Sequence, residues 1–82
     1  MAKYEMYTED KNGRLGKSKG TNRAKMIYDL KMDIEACIIM IEDGELEPNE
    51  MYIRATLHDY KHGRNQTWTI SDNGKLKEVI ES

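Results

Sequence analysis

The feature that most constrains the fold is a change in hydrophobic period at Pro48. Between residues 22 and 43, apolar side chains recur with the 3.6-residue period of an α-helix, and after Pro48 they alternate with the period of two that is typical of a strand. A chain of 82 residues has room for one domain. The sequence therefore predicts an α+β domain, residues 1–82, in which one long helix packs on a small antiparallel β-sheet in two layers.

The helix is predicted over residues 22–43, with Thr21 or Asn22 as N-cap and Gly44 at the first position beyond the C-cap. Its core-facing stripe is about 120° wide. The stripe contains Met26, Ile27, Leu30, Ile34, Cys37, Ile38 and Ile41. The apolar run 36–41 could instead be a strand, although the seven-residue spacings of the stripe continue through it.

A second, narrower stripe lies almost opposite the first and consists of Tyr28, Met32 and Ile39. A helix that packs only against its own sheet has no use for these side chains. The stripe therefore predicts an apolar patch for a partner helix or a two-fold homodimer. In the alternative, the N-terminal strand or the glycine-rich segment folds over the patch.

The predicted order of elements is β-α-β-β-β, with strands at about residues 3–8, 50–60, 65–71 and 75–80. Residues 10–20 are predicted as a basic, glycine-rich loop, with a weak return strand over 14–17 as the alternative. At the C-terminus, a helical turn over 77–82 is the alternative to a strand.

The strand at 50–60 is expected to point Met51, Ile53, Ala55 and Leu57 into the core. Alternation then sets Tyr52, Arg54, His58 and Tyr60 on its open face. Tyrosine and arginine are enriched in protein interfaces, so this face is a second candidate for partner binding. The alternative is an ordinary solvated sheet surface.

Charge is distributed in blocks along the chain. Residues 1–28 carry seven basic and three acidic side chains, residues 29–59 carry two and nine, and residues 60–82 carry four and three. Lys17, Lys19, Arg23 and Lys25 are candidates for contact with an anion or a nucleic acid, or they are solvated. An overall pI near 5.7 is low for a nucleic-acid binder.

The sequence predicts no catalytic, cofactor or metal site, and hence no enzyme. Gly16-Lys17-Ser18 matches the end of a phosphate-binding loop, but Lys11 stands where that motif requires glycine. Cys37 lies on the buried stripe, and His58 and His62 have no further ligand at suitable spacing. A single cysteine and the absence of a long apolar run favour a cytoplasmic protein that does not span a membrane.

In size, charge and layout the chain resembles accessory proteins of bacteriophages and mobile elements, including anti-CRISPR inhibitors of host defence. The resemblance implies a non-catalytic protein-binding module that inhibits a larger host complex. The alternatives are a nucleic-acid-binding protein that uses the basic segment 11–25 with Tyr52 and Arg54, and a homodimeric structural protein.

Overall fold

A computed structural model describes residues 2–80 as one helix above a five-stranded sheet. The elements in chain order are β1 Tyr4–Asp10, β2 Leu15–Gly20, α1 Arg23–Glu42, a 3₁₀ turn Pro48–Glu50, β3 Tyr52–Asp59, β4 Arg64–Ile70 and β5 Leu76–Glu78. The strands lie in the order β2-β1-β3-β4-β5, and every neighbouring pair is antiparallel. The predicted class, a long helix packed on an antiparallel sheet in two layers, is confirmed. Residues 81–82, the end of the alternative C-terminal turn, lie outside the described residues.

The helix runs without a break through residues 36–41, so the strand alternative for that run is wrong. The Asn22 side chain accepts a hydrogen bond from the Lys25 backbone N–H at 3.1 Å, which caps the first turn. At the other end Gly44 adopts a φ of 78°, and the Glu45 N–H donates to the Met40 carbonyl at 2.8 Å. This Schellman-type end satisfies carbonyls that the last turn leaves free.

The loop predicted over residues 10–20 is wrong, and the alternative of a return strand is favoured, with strand β2 extending beyond the expected 14–17 to Gly20. Asp10 is buried, and its carboxylate accepts the backbone N–H groups of Asn12 at 2.8 Å and Arg14 at 2.9 Å. This tight turn sends the chain back along β1, and β2 pairs with it from Leu15 to Gly20. Glycine is unfavourable in isolated strands, so the composition of residues 10–20 favours a loop. Pairing with β1 stabilises the strand in spite of this composition.

The core lies between α1 and the face of the sheet that it covers. Leu30 and Ile34 of α1 are buried against side chains from three central strands: Met6, Ala55, Leu57, Trp68 and Ile70. Met51, just before β3, completes the cluster, and Ile34 is its largest fully buried side chain, with 1 % of its surface exposed. Burial of this apolar surface is the main source of stability for a chain so short.

A β-bulge in β3 changes which side chains face the core. Glu9 pairs with Arg54 and Asp10 with Tyr52, so Ile53 is an extra residue in β3. Tyr52 consequently packs against the core, near Cys37 of α1. The prediction that Tyr52 lies on the open face with Arg54 is therefore wrong, because strict alternation stops at the bulge.

We expect Gly74→Ala to destabilise the fold more than Gly63→Ala. Both glycines have positive φ, 84° and 61°, so either alanine costs about 1 kcal/mol of backbone strain. At Gly74 an added Cβ would also lie 2.6 Å from Ile38 Cδ1 and 3.1 Å from Cγ2 of the buried Ile34, which adds about 1 kcal/mol of overpacking. Nothing lies within 4 Å of the corresponding position at Gly63. Urea unfolding of both variants measures the difference, and equal losses would contradict the close contact.

Candidate protein interface

The outward side of α1 carries three large, exposed side chains. Tyr28 is 61 % exposed, Met32 47 % and Ile39 58 %, and we call these three residues the outer ridge. The two segments that could have covered the ridge are strands β1 and β2, and both are part of the sheet. The ridge is therefore open in the described chain.

Charged residues around the ridge are unevenly distributed along the helix. The basic residues Arg23, Lys25 and Lys31 lie in the N-terminal half, and Asp33, Glu35 and Glu42 in the C-terminal half. The first turn has no acidic residue and the last turn has no basic one. This distribution opposes the helix macrodipole, which favours acidic groups at the N-terminus and basic groups at the C-terminus. The only ion pair within α1 among the described residues joins Lys25 to Asp29, the one acid of the N-terminal half, at 3.2 Å.

The face of the sheet opposite α1 is largely polar, and no element among residues 2–80 covers it. Because paired antiparallel residues lie on the same side of a sheet, the registers define its cross-strand rows. These rows are Lys19-Glu5-His58-Asn65, Lys17-Tyr7-Thr56-Thr67 and Leu15-Glu9-Arg54-Thr69. Arg54 and His58 thus lie on this open face, and Tyr60 follows β3 at its end.

A buried carboxylate, that of Glu5, lies on the open face near the start of β1. Glu5 is 2 % exposed. Its carboxylate accepts a hydrogen bond from the Tyr60 hydroxyl through Oε2, and Lys17 Nζ lies 3.7 Å from Oε1. Two hydrogen bonds lower the pKa of Glu5 below its ordinary value, and the one from Tyr60 has a larger effect than the one from Tyr7. The hydrogen bond to Glu5 also raises the pKa of Tyr60 to about 12. Glu5 has no signal in the sequence, because nothing in the pattern of β1 indicates that a tyrosine far along the chain covers it.

Other polar groups of the open face also find partners within the sheet. Arg54 pairs with Glu9 at 3.3 Å, and the hydroxyls of Thr56 and Thr67 lie 3.1 Å apart. The rings of His58 and Tyr60 meet edge to face, with centroids 4.8 Å apart. This internal pairing reduces the number of groups that a partner could bind without first breaking a contact.

The four predicted anion-contact residues do not form one surface. Lys17 and Lys19 lie on the open face of the sheet, in the rows of Tyr7 and Glu5. Arg23 and Lys25 belong to α1, which packs on the other face, and they bond to Gln66 and Asp29 respectively. The sheet therefore separates the basic N-terminal segment into two parts.

A groove separates β2 from α1. The β2 residues that share the helix side of the sheet are Gly16, Ser18 and Gly20, which are too small to fill the space. A cavity of about 270 Å³ results. Its lining comprises Met6, Thr8, Gly16, Lys17, Ser18, Lys19, Met26, Asp29, Leu30, Asp33 and Tyr52.

The reactive side chains are engaged in structural contacts. The pKa of the Cys37 thiol is raised mainly by burial and, to a smaller extent, by the negative charge of Asp33. The higher pKa lowers the thiolate fraction and hence the reactivity of Cys37. His62 Nδ1 lies 2.7 Å from the carboxylate of Asp59 in the β3–β4 turn. Within residues 2–80, no three histidine, cysteine or acidic side chains come together as metal ligands.

No protein-family model, curated protein or solved structure matches this chain. Over the same described residues, no helix combines the length and apolarity that a membrane span requires. Function is therefore inferred from the residues and their geometry.

We expect Tyr60→Phe to raise the pKa of Glu5, because the main hydrogen bond that favours the carboxylate is lost. A depressed carboxyl pKa contributes stability above its ordinary value of 4.5, and this contribution is lost as the pH falls through the folded pKa. The unfolding free energy of the wild type should therefore fall more steeply in acid than that of Tyr60→Phe.

Carbon-13 NMR titration of the Glu5 carboxyl and urea unfolding between about pH 2 and 6 measure the two effects. Tyr28→Phe is the matched control, because Tyr28 is exposed on the opposite side of the molecule. An unchanged Glu5 titration in Tyr60→Phe would contradict the proposed network.

Proposed function

We propose that this protein is a small, non-catalytic protein-binding module that docks through the outer ridge of α1. The observation that carries the proposal is the exposure of Tyr28, Met32 and Ile39 on a helix that is capped at both ends and packed on the core through Leu30 and Ile34. Tyrosine and methionine are enriched at protein interfaces. A pre-ordered helix also loses little conformational entropy when it binds.

The contrast with the sheet surface supports the choice of the ridge. On the open face, Glu5, Glu9 and Arg54 already have partners within the sheet. On the ridge, three apolar side chains remain in water, and their burial by a partner is favourable at about 25 cal/mol per Å². A partner therefore gains more free energy at the ridge than at the open face.

In its physiological role, we propose that the module inhibits a larger complex by occluding or bridging its subunits in the cytoplasm of the producing or infected cell. This role follows from the resemblance in size, charge and layout to phage and mobile-element accessory proteins. A domain of 9.6 kDa is small beside such a complex, so we propose that it acts by covering part of the surface of that complex.

The proposal is tested by a photo-crosslinking amino acid placed at position 32 in the producing cells. We expect a defined protein adduct at this position, because Met32 lies at the centre of the ridge. The matched position is Leu15 on edge strand β2, which is 76 % exposed and lies on the open face of the sheet. A similar adduct from both positions, or none from position 32, would overturn the docking site.

A second arm combines the probe at position 32 with Tyr28→Ala and Ile39→Ala. We expect at least a tenfold loss of the adduct, since each truncated side chain removes about 1–2 kcal/mol of binding free energy. Both side chains are exposed, so the unfolding free energy should change by less than about 1 kcal/mol in total. Leu15→Ala is the control that should leave the adduct yield unchanged.

A further inference from the structure

The geometry points to a second copy of this chain as the occupant of the outer ridge, with the two helices antiparallel about a two-fold axis. This inference rests on the proposed function, because it names the partner of the same surface. It is carried by charge complementarity along α1, which is present only when two copies run in opposite directions.

The helix carries its charges in the orientation that its own dipole disfavours. Lys25 lies in the first turn and Asp43 is the C-cap residue, while the first turn lacks an acid and the last turn lacks a base. In an antiparallel pair, the C-terminal acids of one copy lie beside the N-terminus of the other. Each helix terminus then receives from the second copy the charge that its own sequence does not supply.

The spacing of the ridge sets the register of the pair. Tyr28 and Ile39 are equidistant from a point between residues 33 and 34, so two-fold pairing about that point places Tyr28 opposite Ile39 of the second copy. The same register places Lys25 close to Asp43 of the second copy. On the other flank of the ridge, Lys31 comes close to Glu35 of the second copy.

In this arrangement each pair of opposite charges occurs twice, because a two-fold interface uses the same patch on both subunits. A parallel arrangement would instead place acidic halves side by side and the more basic halves side by side. Charge complementarity therefore selects the antiparallel pair. The pairing would be modest in area, and we expect a dissociation constant on the order of 10 μM, as for small transient interfaces.

The dimer would have four layers, with the two helices in the middle and a sheet on each outer side. The open faces of the two sheets, which contain Arg54 and His58, would then point away from each other. The dimer would thus present two identical sheet surfaces on its outer sides.

The test is a charge exchange between two single variants, Lys25→Glu and Asp43→Lys, measured by light scattering and sedimentation at about 100 μM and low salt. We expect the wild type to be dimeric. The homodimer of each single variant should have a dissociation constant about tenfold higher than that of the wild type, because like charges then lie opposite each other across the interface. An equimolar mixture of the two variants should recover the dimer, since the heterodimer again contains pairs of opposite charge.

The mixing arm separates loss of pairing from loss of folding, because a misfolded variant would not recover a partner. Lys61→Glu in the β3–β4 turn is the matched control for the charge change, and it should remain as dimeric as the wild type. A monomeric wild type, or a dimer that neither single variant weakens, would overturn the inference. If the wild type is monomeric and position 32 still crosslinks to another protein, the second copy is excluded and the proposed binding function stands.

Discussion

The packing of Leu30 and Ile34 against the central strands is the interaction on which the rest of the structure depends. A single helix can cover only one face of a sheet, and among the described residues no further element covers a second surface. Two surfaces are consequently left in water: the outward side of α1 and the open face of the sheet. Their different chemistry decides how each can be used.

The open face compensates its charges within the domain. Glu5 is buried beneath the Tyr60 hydroxyl with Lys17 nearby, and Glu9 pairs with Arg54. The outward side of α1 is compensated less fully, because its only ion pair among the described residues is Lys25–Asp29, its three apolar side chains are exposed and its terminal charges oppose the helix dipole. This arrangement adds no stability to an isolated domain. It becomes favourable when a partner covers the helix, because the apolar side chains are then buried.

The order of charge along the chain does not translate directly into surfaces. The basic N-terminal segment is divided by the sheet, with Lys17 and Lys19 on the open face and Arg23 and Lys25 on the helix. A basic block in the sequence suggests one cationic patch, but strand β2 ends at Gly20 and the chain then crosses to the other layer. Much of the acidic block belongs to the C-terminal half of α1 and the turn that follows, but Asp33 lines the groove beside β2 and Glu35 lies on the flank near Gly74.

The sequence by itself determined the helix, its core-facing stripe and the second apolar stripe opposite it, since all of these follow from the spacing of neighbours within one continuous element. Only the tertiary structure decided that the second stripe is exposed, because β1 and β2 pair within the sheet and do not fold over it. Only the tertiary structure decided that residues 15–20 form a strand, because β2 depends on hydrogen bonds to β1 that outweigh its glycine content. The same holds for Tyr52, whose side is set by a register shift between two strands, and for Glu5, which is buried by a residue 55 positions away. Helical contacts are local and can be read from the sequence, whereas bulges and cross-strand networks exist only once distant segments have paired.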